Sequence, residues 1–367
     1  MKTSIMAIPK KNQLVGLDIG SHSIKLVEID HGKQGRVLKN FGQIGLPPDA
    51  IVEGSIKEME LVSSAITSLF KNLKVKNKNV ATSISGYSVI VKKIALGASK
   101  ESEIEAIIQV EAEQYIPFDI SEVNLDFDTL SAGAEDTGAA EEGDQERAEQ
   151  MEVMLVAAKK DIINDYDSLL QLSGLSPGVL DVDAFALQNA FEISTEEPTG
   201  CYALVNVGAD ELGINAIKDG VSLFTRDSSF GGSQITEGIM SDFSVSFEEA
   251  EQIKLGGGKV DKQKGRLEEI FTSVVSEWTM EIKRALDFVA STYPDETIEK
   301  ILISGGSCRI PGLQKYLQLE TSIPVVELNP FSNLVVDEKR FDPRYLRYMA
   351  PQAAVAVGLA LRSIGDK

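Results

Sequence analysis

The residues best suited to chemistry lie in three glycine-marked turns. The first is Gly16-Leu-Asp18-Ile-Gly20-Ser21-His-Ser23-Ile-Lys25. A Gly-Ser hairpin tip presents backbone N–H groups that can cradle a phosphate. Asp18, just before the tip, can hold Mg2+ through water, and Lys25 can neutralise phosphate charge. An ordinary tight hairpin would carry the same residues. The second turn, Val205-Asn206-Val-Gly208-Ala-Asp210, repeats the pattern later in the chain. The third, Ile303-Ser304-Gly305-Gly306-Ser307, sets two glycines after an apolar run. A flat group such as adenine or ribose can approach the backbone closely there. One such turn is a weak signal; three in this order point to a bound nucleotide.

The elements that must position these turns can be read from the apolar pattern. Runs on both sides of Gly20 predict a β-hairpin over 14–29, with a third strand at 37–44. Apolar spacing predicts a helix over 60–73 and a strand over 80–85. From residue 88 the order strand, helix, strand, strand, helix predicts a compact α+β unit ending near 176. Its first helix should run from Glu101 to Tyr115 and stop before Pro117. Within this unit Ile107, Ile108, Tyr115, Ile116 and Phe118 are too many apolar residues for one small core, so part of them, Phe118 foremost, is expected to wall a partner groove. Ser131–Gln150 holds seven acids and one base and no large apolar residue, the composition of a disordered, solvated loop. A second strand-turn-strand series over 202–226 echoes the first, which implies two duplicated halves with a ligand cleft between them.

Composition narrows the classes. The 367 residues allow two to three domains. Acids outnumber bases 56 to 36, a net charge of −20 with no basic block, which argues against nucleic acid or a bare anionic membrane as partner. Two cysteines and two histidines exclude a disulfide framework and leave little room for zinc or His-based triads. No signal peptide or membrane span is legible, so a cytoplasmic protein is expected.

These turns resemble those of the actin-like ATPase superfamily, and the resemblance is nearest to the PilM family of type IV pilus assembly proteins. GLDIGSHSIK, EAEQYIPFDISEVNLDF, LVAAKKDIINDY, LDVDAFALQNAF, FTRDSSFGGSQIT, ISGGSCRIPGL and APQAAVAVGLALR carry it over nearly the whole chain. The implied fold is α/β and actin-like: two duplicated halves with a small α+β insert domain in the first. The first half would comprise 1–87 and 177–200 with 347–367 as its closing helix, the insert 88–176, and the second half 201–346. Residues 180–190 and 350–361 would be the helices crossing between halves.

The resemblance also implies ATP and Mg2+ as ligands. Gly20, Ser21 and Lys25 would contact the β- and γ-phosphates, and Asp18 would orient Mg2+ through water. Gly208 would approach the phosphates from the second half, and Gly231 and Gly232 would border the nucleotide. Glu251 and Lys254 would reach ribose and adenine, although by spacing alone they are an exposed helical ion pair. Gly305, Gly306 and Ser307 would lie against the adenosine. Asp183 occupies the place of a water-polarising catalytic residue, although by residue type and position it is better suited to cap a helix. Asn206 stands where many members have an aspartate, which favours binding over hydrolysis. The implied partner is the cytoplasmic N-terminal tail of the inner-membrane protein PilN, seated in a groove on the insert. Contacts to other inner-membrane pilus proteins and to the motor would follow, with recruitment to the inner membrane through partners and a possible homo-oligomer. A small-molecule kinase or an FtsA-like division protein is the alternative. The first lacks a recognisable sugar-binding segment, and the second an amphipathic tail.

Overall fold

Apolar runs flanking Gly20-Ser21 pair as an antiparallel hairpin, β1 (Val15–Ile19) with β2 (Ser23–Gly32), which sets Asp18 directly opposite Lys25. The computed structural model describes residues 12–32, 35–97, 101–130, 151–196, 198–258 and 264–366. β3 (Gly35–Gly45) continues the meander, and a short ribbon, β4 (Ile51–Val52) with β5 (Ser55–Ile56), leads into α1 (Met59–Leu73). α1 buries Val62, Ile66, Leu69 and Phe70, one face at helical spacing. It ends at Lys74, whose backbone turns left-handed and donates to the Phe70 and Lys71 carbonyls. β6 (Asn79–Ile84) returns parallel to β1.

The chain then leaves this sheet. β7 (Val89–Leu96), α2 (Glu101–Ala112), β8 (Val123–Thr129), β9 (Met151–Lys159) and α3 (Lys160–Leu172) form a separate α+β layer with strand order β7-β9-β8. α2 stops at Ala112, short of Tyr115, and its last turn closes as Ile116 N–H donates to the Ala112 carbonyl. Its core buries Ile104, Ile108, Ile116, Val153 and Leu155, and Ile107 and Phe118 pack against it. Phe118 also lies under the Lys159 ammonium, 4.2 Å from its ring centroid. The expectation that Phe118 walls a groove is therefore corrected: its ring closes the edge of this core. Among the five residues in question only Tyr115 is substantially exposed. Ser131–Gln150 lie outside the described residues.

β10 (Ser176–Val182) rejoins the first sheet beside β6, giving the order β10-β6-β1-β2-β3. α4 (Asp183–Ser194) follows at once, so residues 180–182 end a strand and are not part of the crossing helix. The second half repeats this design. β11 (Cys201–Val207), β12 (Leu212–Lys218) and β13 (Val221–Ser228) form the meander. α5 (Gly232–Phe243), α6 (Phe247–Lys254) and α7 (Lys264–Thr292) cover it, with Trp278 of α7 fully buried. β14 (Lys300–Ser304), α8 (Leu313–Thr321) and β15 (Val325–Glu327) complete the order β13-β12-β11-β14-β15. In each sheet a three-stranded antiparallel meander is extended by two parallel strands on its first-strand side.

The closing segment is α9 (Pro343–Met349), a 3-10 turn from Pro351, and α10 (Ala354–Leu359). A single helix over 350–361 was expected. Pro351 supplies no N–H to a helical ladder, and the segment starts there as a 3-10 turn over 351–353 that leads straight into α10. α10 crosses α4 at very short range: a Cβ on Gly358 would sit 1.7 Å from the Ala186 carbonyl oxygen. Small residues in the closing segment allow that approach. No helix among the described residues is long and apolar enough to cross a membrane.

Candidate functional site

The three glycine turns meet in one cavity of 330 Å³ between the two sheets. From the first half it is lined by Asp18, Gly20, Ser21 and Lys25, and from the second by Asn206, Gly208, Glu251 and Lys254. Gly305, Gly306, Ser307 and Asp183 complete the walls. Gly231 and Gly232 are not among its lining residues. They stand one layer behind, where Gly232 N–H donates to the Gly208 carbonyl and a Cβ on Gly231 would meet the Ala209 carbonyl at 2.0 Å.

The first turn is held by its own backbone, Gly20 N–H donating to the Ser23 carbonyl at 3.2 Å. Lys25 Nζ stands 3.3 Å from Asp18 Oδ2, a cross-strand ion pair aimed into the cavity. The second turn closes as Gly208 N–H donates to the Glu211 carbonyl at 2.8 Å. It is tied to the third by Ser307 Oγ, which donates to the Gly208 carbonyl at 2.8 Å. Gly305 has φ +90, and a Cβ there would lie 2.3 Å from the Val207 carbonyl oxygen. Only glycine combines that backbone with that approach.

Glu251 and Lys254 are paired at 2.5 Å, and Lys254 also donates to Thr236 Oγ1 at 2.9 Å. The pair is not the exposed surface pair that spacing allowed: Lys254 is 7% exposed, and its burial lowers its pKa against the pull of Glu251. Asp183 is the first residue of α4 and not its N-cap, which is Val182; its carboxyl is hydrogen-bonded to the Ser83 side chain. Burial, followed by the nearby Asp18 charge, pushes the Asp183 carboxyl up to about 8. Burial likewise pushes Glu211 up to about 7, even though it accepts from Ser85 Oγ. Asp227 behind it is also raised by burial. His22 lines the cavity with its pKa lowered, first by burial.

Glu211, Asp227, His22 and Tyr348 were not singled out from sequence. Glu211 and His22 sit within or beside turns that were, so adjacency was the available signal. Asp227 and Tyr348 come from elements whose patterns point elsewhere.

A second cavity, of 610 Å³, opens where the insert meets both halves. β8 and β9 contribute Leu125, Phe127 and Met154, the β10–α4 corner contributes Leu180, Asp181 and Phe185, and the β12–β13 turn contributes Gly220–Ser222. β8 is an edge strand of its sheet. Asp126 and Asp128 are exposed on it, and buried Asp181 lies 3.0 Å from Arg362 Nε. The insert reaches the second half directly through Thr225 Oγ1, which donates to the Val91 carbonyl, and through Lys93 over the Tyr293 ring.

Known proteins share this fold. The chain is similar to the protein of a solved PilM-PilN type IV pilus biogenesis complex, at TM-score 0.81 and 29% identity over 95% of this chain and 98% of that one. It shares its fold with ethanolamine utilization protein EutJ from Carboxydothermus hydrogenoformans, at TM-score 0.55 and 15% identity, covering 98% of this chain and 92% of that one. MreB5 of Spiroplasma citri bound to ADP shares the fold at TM-score 0.51 and 10% identity, covering 95% of each chain. EutJ of Escherichia coli (strain K12) is 26% identical over 155 residues, 42% of this chain and 46% of its own, so the match spans about half the length of that curated relative. The fold is thus actin-like α/β, two duplicated halves with a small α+β insert in the first. The family model for type IV pilus assembly protein PilM matches residues 16–364, and the chain belongs to that family.

Proposed function

We propose that this protein binds ATP with Mg2+ between its halves and docks the cytoplasmic N-terminal segment of PilN in the groove beside the insert. The observation that carries the nucleotide reading is the convergence of three glycine turns with Lys25 and Lys254 on one cavity. The residues fit the group. Glycines leave backbone N–H groups uncovered, the Lys25 ammonium faces a polyphosphate, and a 330 Å³ cavity lies within the range of ligand pockets, roughly 300–1,000 Å³.

Gly20, Ser21 and Lys25 hold the β- and γ-phosphates, with Gly208 opposite. Gly305, Gly306 and Ser307 lie along the adenosine, with Glu251 and Lys254 at ribose and base. Gly231 and Gly232 act from behind by letting the second turn pack close. No cluster of three metal-ligating side chains exists among the described residues. Asp18 would hold a Mg2+ ion through water, most of whose ligands would come from phosphate and water. The ion neutralises phosphate charge. Asp183, held near 8, is largely protonated at neutral pH and donates a hydrogen bond better than it accepts a proton. With neutral Asn206 opposite, tight binding and slow hydrolysis follow.

The PilN reading is supported by the likeness to the PilM-PilN complex and by the groove itself. An extended peptide adds to the open edge of β8 and sets alternate apolar side chains against Leu125, Phe127 and Phe185. Basic residues on it meet Asp126 and Asp128. On this reading 88–176 is the docking insert, 1–87, 177–200 and 347–367 the first half, and 201–346 the second. PilN recruits the protein from the cytoplasm to the inner membrane and links it to the motor. Titration of full-length protein with a PilN N-terminal peptide, with and without ATP and Mg2+, tests both parts. Binding near micromolar, about −8 kcal/mol, is expected. A peptide that does not bind sinks the docking reading, and ATP that does not bind sinks the cleft reading.

A further inference from the structure

Arg309, Arg344 and Arg347 converge on a third depression, of 530 Å³, between the loop after β14 and α9. Its floor is the loop from Cys308 to Gly312, and its wall is α9. The Arg309 guanidinium stacks on Tyr348, 3.4 Å from the ring centroid, and its Nη2 is buried without a hydrogen-bond partner. Arg344 and Arg347 stand one helical turn apart on the exposed face of α9. Neither makes an ion pair among the described residues. Glu327 is the one carboxylate lining the depression, so three guanidiniums against one carboxylate leave it at 3 − 1 = +2. The chain as a whole carries −20. Glu327 offsets part of the Arg309 charge, and Arg344 and Arg347 are left without an acidic partner among the described residues.

We propose that this depression docks an acidic segment of a partner protein, one that presents carboxylates at neighbouring positions. Guanidinium forks match carboxylates two bonds at a time. Arginine and tyrosine are the side chains that dominate interface centres. A narrow acidic peptide touches only the positive depression, and beyond a Debye length of about 8 Å the rest of the −20 chain is screened from it. An anionic bilayer is broad and flat. It would bring its charge against the acidic remainder of the surface while failing to enter the concavity. The depression shares no lining residue with the groove on β8, so both can be occupied together. Tyr348 lines the nucleotide cleft as well, which places the docked segment at the rim of that cleft.

The test uses full-length protein and a fluorescein-labelled peptide of alternating glutamate and serine, followed by anisotropy at low and physiological salt. The double variant Arg344→Glu/Arg347→Glu is compared with Lys57→Glu/Lys71→Glu, an equal charge change on exposed residues elsewhere. The first should lose roughly tenfold or more in affinity, the second about twofold or less, and salt should weaken the wild type. Unfolding curves confirm that both variants fold. If the first does not, Arg344→Gln/Arg347→Gln takes its place. Equal losses in both variants, equal binding of a glutamine-for-glutamate peptide, or no binding by the wild type overturns the proposal. So does displacement of the peptide by phosphatidylglycerol vesicles that bind the wild type, which would make the site a membrane contact.

Discussion

Ser85 and Glu211 are hydrogen-bonded across the floor of the cleft at 2.5 Å, although 126 positions separate them in sequence. Ser85 follows β6 of the first half, and Glu211 ends the turn after β11 of the second. Beside them Gly86 N–H donates to Asp227 Oδ2 at 2.9 Å. The halves are thus latched by two contacts, each made by a buried carboxyl of the second half to the β6 exit of the first. Ser85→Ala removes a donor from a buried acid, and should cost about 1–3 kcal/mol. Gly86→Ala should cost more, because Gly86 has φ +77 and a Cβ would fall 2.4 Å from Glu211 Oε1. Chemical denaturation of both variants measures this, and a Gly86→Ala protein as stable as the wild type would remove the latch from the account.

Two buried acids of the cleft, Asp183 and Glu211, set a pH dependence. Folded Asp183 and Glu211 titrate near 8 and 7, well above the ordinary carboxylate range of about 4 in the unfolded chain. Between those limits the folded state holds protons that the unfolded state has released. Stability therefore falls as pH rises through the window. The two histidines, whose folded pKa values are lowered, act with the opposite sign below about 6.5. Above pH 7 the histidines are neutral in both states, so from there to about pH 8 these two acids should make the melting temperature drop with rising pH. Asp183→Asn should flatten that slope, since Asp183 is the acid that still holds its proton there; an unchanged slope would assign it to other groups.

Lys25→Ala should weaken ATP affinity by roughly tenfold or more, since a cation is lost from a partly dry phosphate site, on the order of 1.5–3 kcal/mol. Equilibrium binding of a fluorescent ATP analogue is the measurement, and an unchanged Kd would remove Lys25 from the phosphate site. Asn206→Asp is the companion variant. Background hydrolysis in both Asn206 forms would mean that this position does not limit turnover.

Phe127→Ala should weaken the PilN peptide while ATP affinity stays constant, because burying a phenylalanine contributes roughly 1.5–3 kcal/mol. Phe118→Ala should instead lower the melting temperature of the insert, with its effect on peptide binding following from that loss of structure. Deletion of Ser131–Gln150 should leave peptide affinity intact. Should the deletion abolish binding and Phe127→Ala have no effect, the acidic segment is the docking element.

Much of this protein was legible in one dimension. The hairpin around Gly20, the repeated meander at 201–228 and the order of the three glycine turns follow from apolar periodicity and turn chemistry, which are local. The ends of the crossing helices were less legible. Residues 180–182 are as apolar as the helix that follows, and only pairing with β6 makes them strand. Phe118 was misplaced for a related reason: periodicity counts apolar residues but does not show how many a small core can hold, and here the Lys159 side chain closes over the ring. The Ser85–Glu211 latch, the burial that raises Asp183 and the meeting of Arg309 with α9 join residues from distant parts of the chain. Their chemistry depends on distance and on exclusion of water, and both exist only once the two halves have closed on each other.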